Sequence, residues 1–265
     1  MALFATSAPR GTEINRRSDI TIDYLMIPAS ERMTGAPLGA DFDVTPRALA
    51  LVPVGSKLYA VDRDAASEFP LADSAPSSFV VDSGGKLLMI DHGLFGTIDE
   101  QGRAILAFPL PKQYARLGHS NMPGSFFLFG GVPGDYGLYR FREDGTYKLL
   151  VHTLPEPIVD VTDTQSAVYL ATASHIERFD ARGHTLLFRT PKNWSSIVSL
   201  AVPQSGAPVF FSTDSKVFVL LAGGAVSVIN DSGGLLRLRG DVMYVLDHRR
   251  QLLYAAHPMS SALLK

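Results

Sequence analysis

The side chains best placed to do chemistry are acids and histidines that follow short apolar runs, read here as the second strands of a repeated sheet. They are Asp62 with Arg63 and Asp64, Asp91 with His92, Ser174 with His175, Asp214 with Ser215, and Asp247 with His248. Hard cations bind where oxygens converge, so Asp62, Asp91, Asp214 and Asp247 together would suit a divalent ion such as Ca²⁺. A plainer reading competes with it and is favoured: Asp at a strand end accepts a backbone N–H a few residues on and caps the turn. Nucleophilic signals are sparse. Gly118-His119-Ser120-Asn121 sets a His beside a Ser, but neighbours on a strand point to opposite faces and make a poor relay. No His-Glu-x-x-His, Gly-x-Ser-x-Gly, phosphate loop or dinucleotide fingerprint occurs. The absence of Cys excludes thiol catalysis and every Cys-ligated metal. Gly130 to Gly137 reads as a long hairpin loop that exposes Tyr136.

Those residues are spaced by a recurring unit. Apolar runs of five to seven residues alternate with Gly, Asp, Asn, Ser or Pro. The runs opening at Lys57, Lys86, Ser125, Ala167, Pro208 and Val242 lie 29, 39, 42, 41 and 34 positions apart. A second element, an apolar residue, polar residues, Gly and another apolar run, begins at Ile98, Phe141, Phe179 and Ile229. Gly supplies the positive φ that such a hairpin turn requires. No long stretch carries a 3.6-residue apolar period, so helices are expected to be nearly absent. Self-similarity near 40 residues built only from strands predicts an all-β propeller of four-stranded blades. The expected count is six, with five or seven as alternatives because the register around 196–240 admits two assignments. Asp19–Ile27 is the expected N-terminal strand that completes the last blade. A pair of packed β-sheets is the competing architecture.

The whole chain has 265 residues, 46% hydrophobic and 19% charged, which suits a large core. With 24 basic against 26 acidic residues, nothing global favours nucleic acid or an anionic membrane. No run reaches the roughly 18 apolar residues of a bilayer span, and residues 1–9 lack a basic signal region, so a cytoplasmic location is expected. Residues 1–18 read as a polar, basic arm and 19–265 as one propeller domain.

Ile158–Thr172 followed by Ala173–Gly183 resembles the repeat of NHL and SMP-30/gluconolactonase-like propellers: a strand ending Val-Asp, a polar turn, a Tyr-containing strand, then Phe-Asp-x-x-Gly. Phe79–Asp91 matches its first half. The resemblance implies a site at one channel mouth and, in the gluconolactonase-like enzymes, a divalent ion held by a Glu, two Asn and an Asp. Asn is scarce here: Asn15, Asn121, Asn193 and Asn230 are the whole set. Two functions therefore stand side by side. The favoured one is a non-catalytic scaffold without cofactor that binds a protein partner. Its expected contact residues are Asp62, Arg63, Asp91, His92, Tyr136, His175, Asp247 and His248. The other is a metal-dependent hydrolase or lactonase.

Overall fold

A computed structural model describes residues 21–25, 38–39, 41–62, 65–71, 75–82, 84–99, 102–110, 114–142 and 146–257. The side chains of 21, 106–108 and 152–153 are excepted. The described residues form six four-stranded antiparallel sheets and no helix. Blade 1 comprises β2 (Asp43–Val44), β3 (Ala50–Val54), β4 (Lys57–Val61) and β5 (Ala66–Glu68). Blade 2 comprises β6 (Ser78–Val81), β7 (Leu87–Asp91), β8 (Leu94–Ile98) and β9 (Ala104–Pro109). Blade 3 comprises β10 (Tyr114–His119), β11 (Ser125–Val132), β12 (Asp135–Arg142) and β13 (Tyr147–Leu154). Blade 4 comprises β14 (Ile158–Asp163), β15 (Ala167–Thr172), β16 (His175–Asp180) and β17 (Gly183–Arg189). Blade 5 comprises β18 (Ser199–Ala201), β19 (Val209–Ser212), β20 (Val217–Leu220) and β21 (Val226–Asn230). Blade 6 joins β22 (Leu235–Arg239), β23 (Val242–Asp247) and β24 (Leu252–His257) to β1 (Thr21–Leu25).

The expected closure is therefore present. Ile22 pairs with Ala256 and Leu25 with Leu253 across that last blade. The first strand of each blade packs beside those of its neighbours, and β22 returns to β2. A small sheet cannot cover both its faces alone, so each blade buries them against the next. The apolar clusters accordingly lie between blades: Phe95, Phe126 and Phe141 between blades 2 and 3, and Leu138, Val161 and Leu170 between 3 and 4. Strands such as Val217–Leu220 are buried on both faces, as their unbroken apolar sequence requires.

Antiparallel pairing divides the turns between two faces. One face carries the turns between second and third strands and the blade-to-blade crossings; the other carries the first-to-second and third-to-fourth turns. Three Gly motifs serve third-to-fourth turns, with Gly102 at φ 77° and Gly183 at φ 116° in two of them. The fourth, Asn230-Asp231-Ser232-Gly233, lies on the crossing from β21 to β22 and is not a hairpin. Gly130 and Gly131 sit inside β11, and only Pro133-Gly134 separates it from β12. The expected long loop there is a tight turn between two eight-residue strands. The sequence arm 1–18 lies outside the described residues.

Candidate functional site

The inner strands present unpaired edges to the central axis, and buried N–H groups there need acceptors. Asp and Ser side chains supply them. The Ser78 hydroxyl donates to Asp41 Oδ2 at 3.0 Å and accepts the Leu117 N–H at 3.1 Å, linking blades 1, 2 and 3. The Ser199 hydroxyl donates to Asp160 Oδ2 at 2.5 Å and accepts the Leu236 N–H at 2.9 Å, linking blades 4, 5 and 6. The corresponding members lie 119, 121 and 119 residues apart, so one latch is built twice, half a ring apart. Asp43 and Asp160 reinforce it by accepting the N–H groups of Val81 at 2.7 Å and Leu200 at 3.0 Å.

One guanidinium joins the two latches. Arg237 reaches Asp41 at 3.1 Å, Asp160 at 3.4 Å and Asp43 at 3.7 Å, and its face lies over the Phe42 ring. All four charged side chains are buried. Desolvation raises the Asp41 carboxyl despite Arg237 and Arg116. Burial opposes ionisation of Asp43 as well, but His119, Arg237 and Arg239 outweigh it and hold that carboxyl at about 2. Desolvation alone would lower Arg237; the three carboxylates reverse the effect and raise it. Toward the first-to-second-turn face, Arg239 Nε donates to the Val44 carbonyl at 2.7 Å, and its Nη1 lies 3.2 Å from His119 Nε2. At the same end Asp163 accepts the Asn121 N–H, the Ser120 hydroxyl and Arg140 Nη2 at 2.7–2.9 Å.

The residues singled out in the sequence are spread over both faces. Asp62 follows β4, a third strand rather than a second, so it stands on the face opposite the others. It accepts the Ala65 N–H at 2.8 Å, as a turn cap does. Arg63 lies outside the described residues. Asp91 ends β7 and pairs with His92, which turns the chain at φ 47°. Asp247 ends β23, where it is buried and accepts the Arg250 N–H at 2.9 Å and the Ser232 hydroxyl. His248 follows it, and burial lowers its imidazole despite Asp247 and Asp214. Tyr136 is half-buried in β12 rather than exposed on a loop tip. His175 opens β16. Asp91, His92, Tyr136, His175, Asp247 and His248 share a face but belong to blades 2, 3, 4 and 6.

One cluster around His175 escaped the sequence reading. The hydroxyls of Thr172 and Ser174 donate to the Glu156 carboxylate at 2.9 and 2.7 Å, and both oxygens lie 2.9 Å from His175 Nδ1. His175 Nε2 is 3.1 Å from Glu177 Oε1, which His184 Nε2 meets at 3.2 Å. The Ser174 hydroxyl is thus engaged by Glu156, whose carboxyl it lowers, and both His175 nitrogens face acceptors. The visible signal was alternation: His175, Glu177 and Phe179 occupy one face of β16, and His184 pairs with Phe179 on β17. Glu156 comes from the preceding crossing, which no local pattern marks.

A divalent ion of the gluconolactonase type does not fit the axial donors. Asp41, Asp43 and Asp160 already converge on a buried guanidinium, beside which a second, doubly charged cation would be repelled. Nor do Asp62, Asp91, Asp214 and Asp247 gather at one mouth. Among the described residues no group of three or more His, Asp or Glu is placed to hold a metal.

This architecture defines a six-bladed β-propeller. No protein-family model and no curated protein matches the chain. Solved propellers do. The extracellular domain of a hybrid two-component system from B. thetaiotaomicron aligns at TM-score 0.58 and 15% identity, over 91% of this chain and 34% of that one. This chain therefore spans about a third of that protein's length. A gluconolactonase from Xanthomonas campestris aligns at 0.62 and 12% identity, over 93% and 98%. A structure described as TolB from Agrobacterium tumefaciens aligns at 0.58 and 14% identity, over 91% and 98%. Likeness at this identity extends to the fold.

Proposed function

We propose that this chain is a non-catalytic propeller that holds a protein partner against its rigid ring. The observation that carries the reading is Arg237, which ties Asp41, Asp43 and Asp160 together at the axis. The convergent acids that a channel-mouth hydrolase would use are here committed to holding blades 1, 4 and 6 in place. Strand-end acids add to it, since Asp62 and Asp247 cap their turns. What remains for recognition is the outer surface of a stiff scaffold.

The competing reading is a metal-dependent lactonase, and one experiment separates the two. Purified protein is assayed for lactone hydrolysis with added Ca²⁺, Mn²⁺ or Zn²⁺, and for complex formation by crosslinking in its native extract. The scaffold reading expects no cation-dependent turnover and a discrete crosslinked complex. Turnover that needs the cation and disappears in Asp91→Ala or Asp247→Ala overturns it.

A further inference from the structure

We propose that the cleft between blades 3 and 4 seats an acidic, apolar-flanked segment of a protein partner. This inference rests on the scaffold reading and gives that partner its chemistry. The cleft opens on the face of the first-to-second turns, away from most of the residues singled out in the sequence. It encloses about 350 Å³, within the usual range of ligand pockets.

One wall is cationic. Arg140 on β12 and Lys148 on β13 are direct cross-strand partners, so their side chains emerge together. Lys148 is exposed, and among the described residues it takes part in no ion pair. Arg140 is held in place by Asp163 through Nη2 at 2.7 Å and by the Phe127 ring, while its Nε is buried without a hydrogen-bond partner. The opposite wall is the exposed turn Gln165-Ser166, which offers an amide and a hydroxyl. Leu150, Val168 and Phe179 form an apolar floor. The acid at the rim, Asp180, is already bound to Arg178 at 2.7 Å and to the Arg182 N–H at 2.8 Å. A carboxylate entering the cleft therefore meets the Lys148 ammonium, which no acid among the described residues neutralises, beside an Arg140 that is already paired with Asp163.

Beyond the cleft's lining, β17 carries a further apolar group on the same side. Leu186 pairs with Glu177 and His184 with Phe179, so on β17 both face blade 3, and Leu186 is 46% exposed. An extended segment would set a Glu or Asp between Arg140 and Lys148 and lay a neighbouring apolar side chain over Leu186. Two acids of this chain, Glu143 and Asp144, stand between β12 and β13 in the sequence and lie outside the described residues. The test includes them.

The probe is a fluorescein-labelled peptide, Leu-Glu-Leu-Glu-Glu-Leu, with its all-Gln counterpart, followed by fluorescence anisotropy on the full chain. The Glu peptide is expected to bind at least tenfold tighter than the Gln peptide and to weaken at least tenfold between 50 and 300 mM NaCl. Lys148→Glu and Ser166→Glu, both at exposed positions, should each weaken it tenfold or more while thermal unfolding stays unchanged. Glu143→Gln with Asp144→Asn should leave binding equal or stronger. Equal affinity for both peptides, no binding, or unaltered binding by Lys148→Glu overturns the proposal. So does full displacement by millimolar hexanoate, which would mark a pocket for free small carboxylates. A native partner crosslinked equally well to Lys148→Glu leaves the scaffold standing and removes this site. Cation-dependent lactone turnover with intact peptide binding does the reverse.

Discussion

Arg237 and Asp41 lie 196 residues apart in the chain and meet at 3.1 Å on the propeller axis. The contact joins the inner strand of blade 6 to the segment that leads into blade 1. With Asp160 contributing from blade 4, a single side chain holds three blades in register. Its burial makes the arrangement unforgiving, because each carboxylate left alone would be a desolvated charge.

Arg237→Met should therefore destabilise the protein by about 3–5 kcal/mol at pH 7. Urea unfolding followed by Trp194 fluorescence measures it. A loss below about 1 kcal/mol would show that the axial ion pairs are dispensable.

The acids of the axis should respond oppositely to pH. Asp43 is held at about 2, below its ordinary 3.8. It stabilises the fold above pH 3.8, and that contribution fades as pH falls through about 2. Asp43→Asn should thus cost about 2 kcal/mol at pH 7 and almost nothing near pH 2. Asp41 and Asp163 are raised, mainly by desolvation. Their contribution is complete below 3.8 and lost as pH rises through their values in the fold. Asp41→Asn should accordingly be milder than Asp43→Asn at pH 7. Unfolding midpoints from pH 2 to 7 check the pair, and parallel curves for the two variants would contradict it.

Removing residues through Leu25 deletes β1 and leaves the edge of β24 bare, from Leu253 to His257. An unpaired apolar edge invites pairing with another chain. The shortened protein should associate as concentration rises, in light scattering, and unfold at lower temperature than the parent. A monomer of unchanged melting temperature would show that blade 6 is stable with three strands.

Gly118 on β10 leaves room for the Val161 side chain of the neighbouring inner strand, β14. A Cβ there would stand 2.4 Å from Val161 Cγ1 and 3.2 Å from Phe127 Cβ. Gly118→Ala should cost about 1–3 kcal/mol by overpacking the seam between blades 3 and 4. Pairing it with Val161→Ala should recover part of that loss, which a double-mutant cycle in urea would detect.

Much of the ring was legible because its signals are local. Doubly apolar strands and Gly-bearing turns recur at blade intervals, and the Asp19–Ile27 run had no partner nearer than the C-terminal end. Blade 1 was misread by one strand because its inner strand is only Asp43–Val44, too short for any period to register. Pro53 inside β3 also disguised the second strand. The fourth Gly motif misled because a crossing and a hairpin both need a tight bend after polar residues. The axial cluster was illegible for a different reason. Arg237 sits in Leu-Leu-Arg-Leu-Arg, which reads as a half-exposed strand, and its partners lie 77 and 196 residues away. Glu156 was hidden likewise, since its bonds to Thr172 and Ser174 depend on the pairing of β14 with β15, which sets Ile158 opposite Thr172.

The seam in blade 6 also orders events during synthesis. β1 leaves the ribosome before any other described strand, yet its only sheet neighbour, β24, is the last of them to emerge. At about ten residues per second, the first strand waits for roughly twenty seconds with its pairing edge uncovered. Five blades can assemble in that interval while the sixth stays open, so the nascent ring is most vulnerable to misassociation just before β24 emerges.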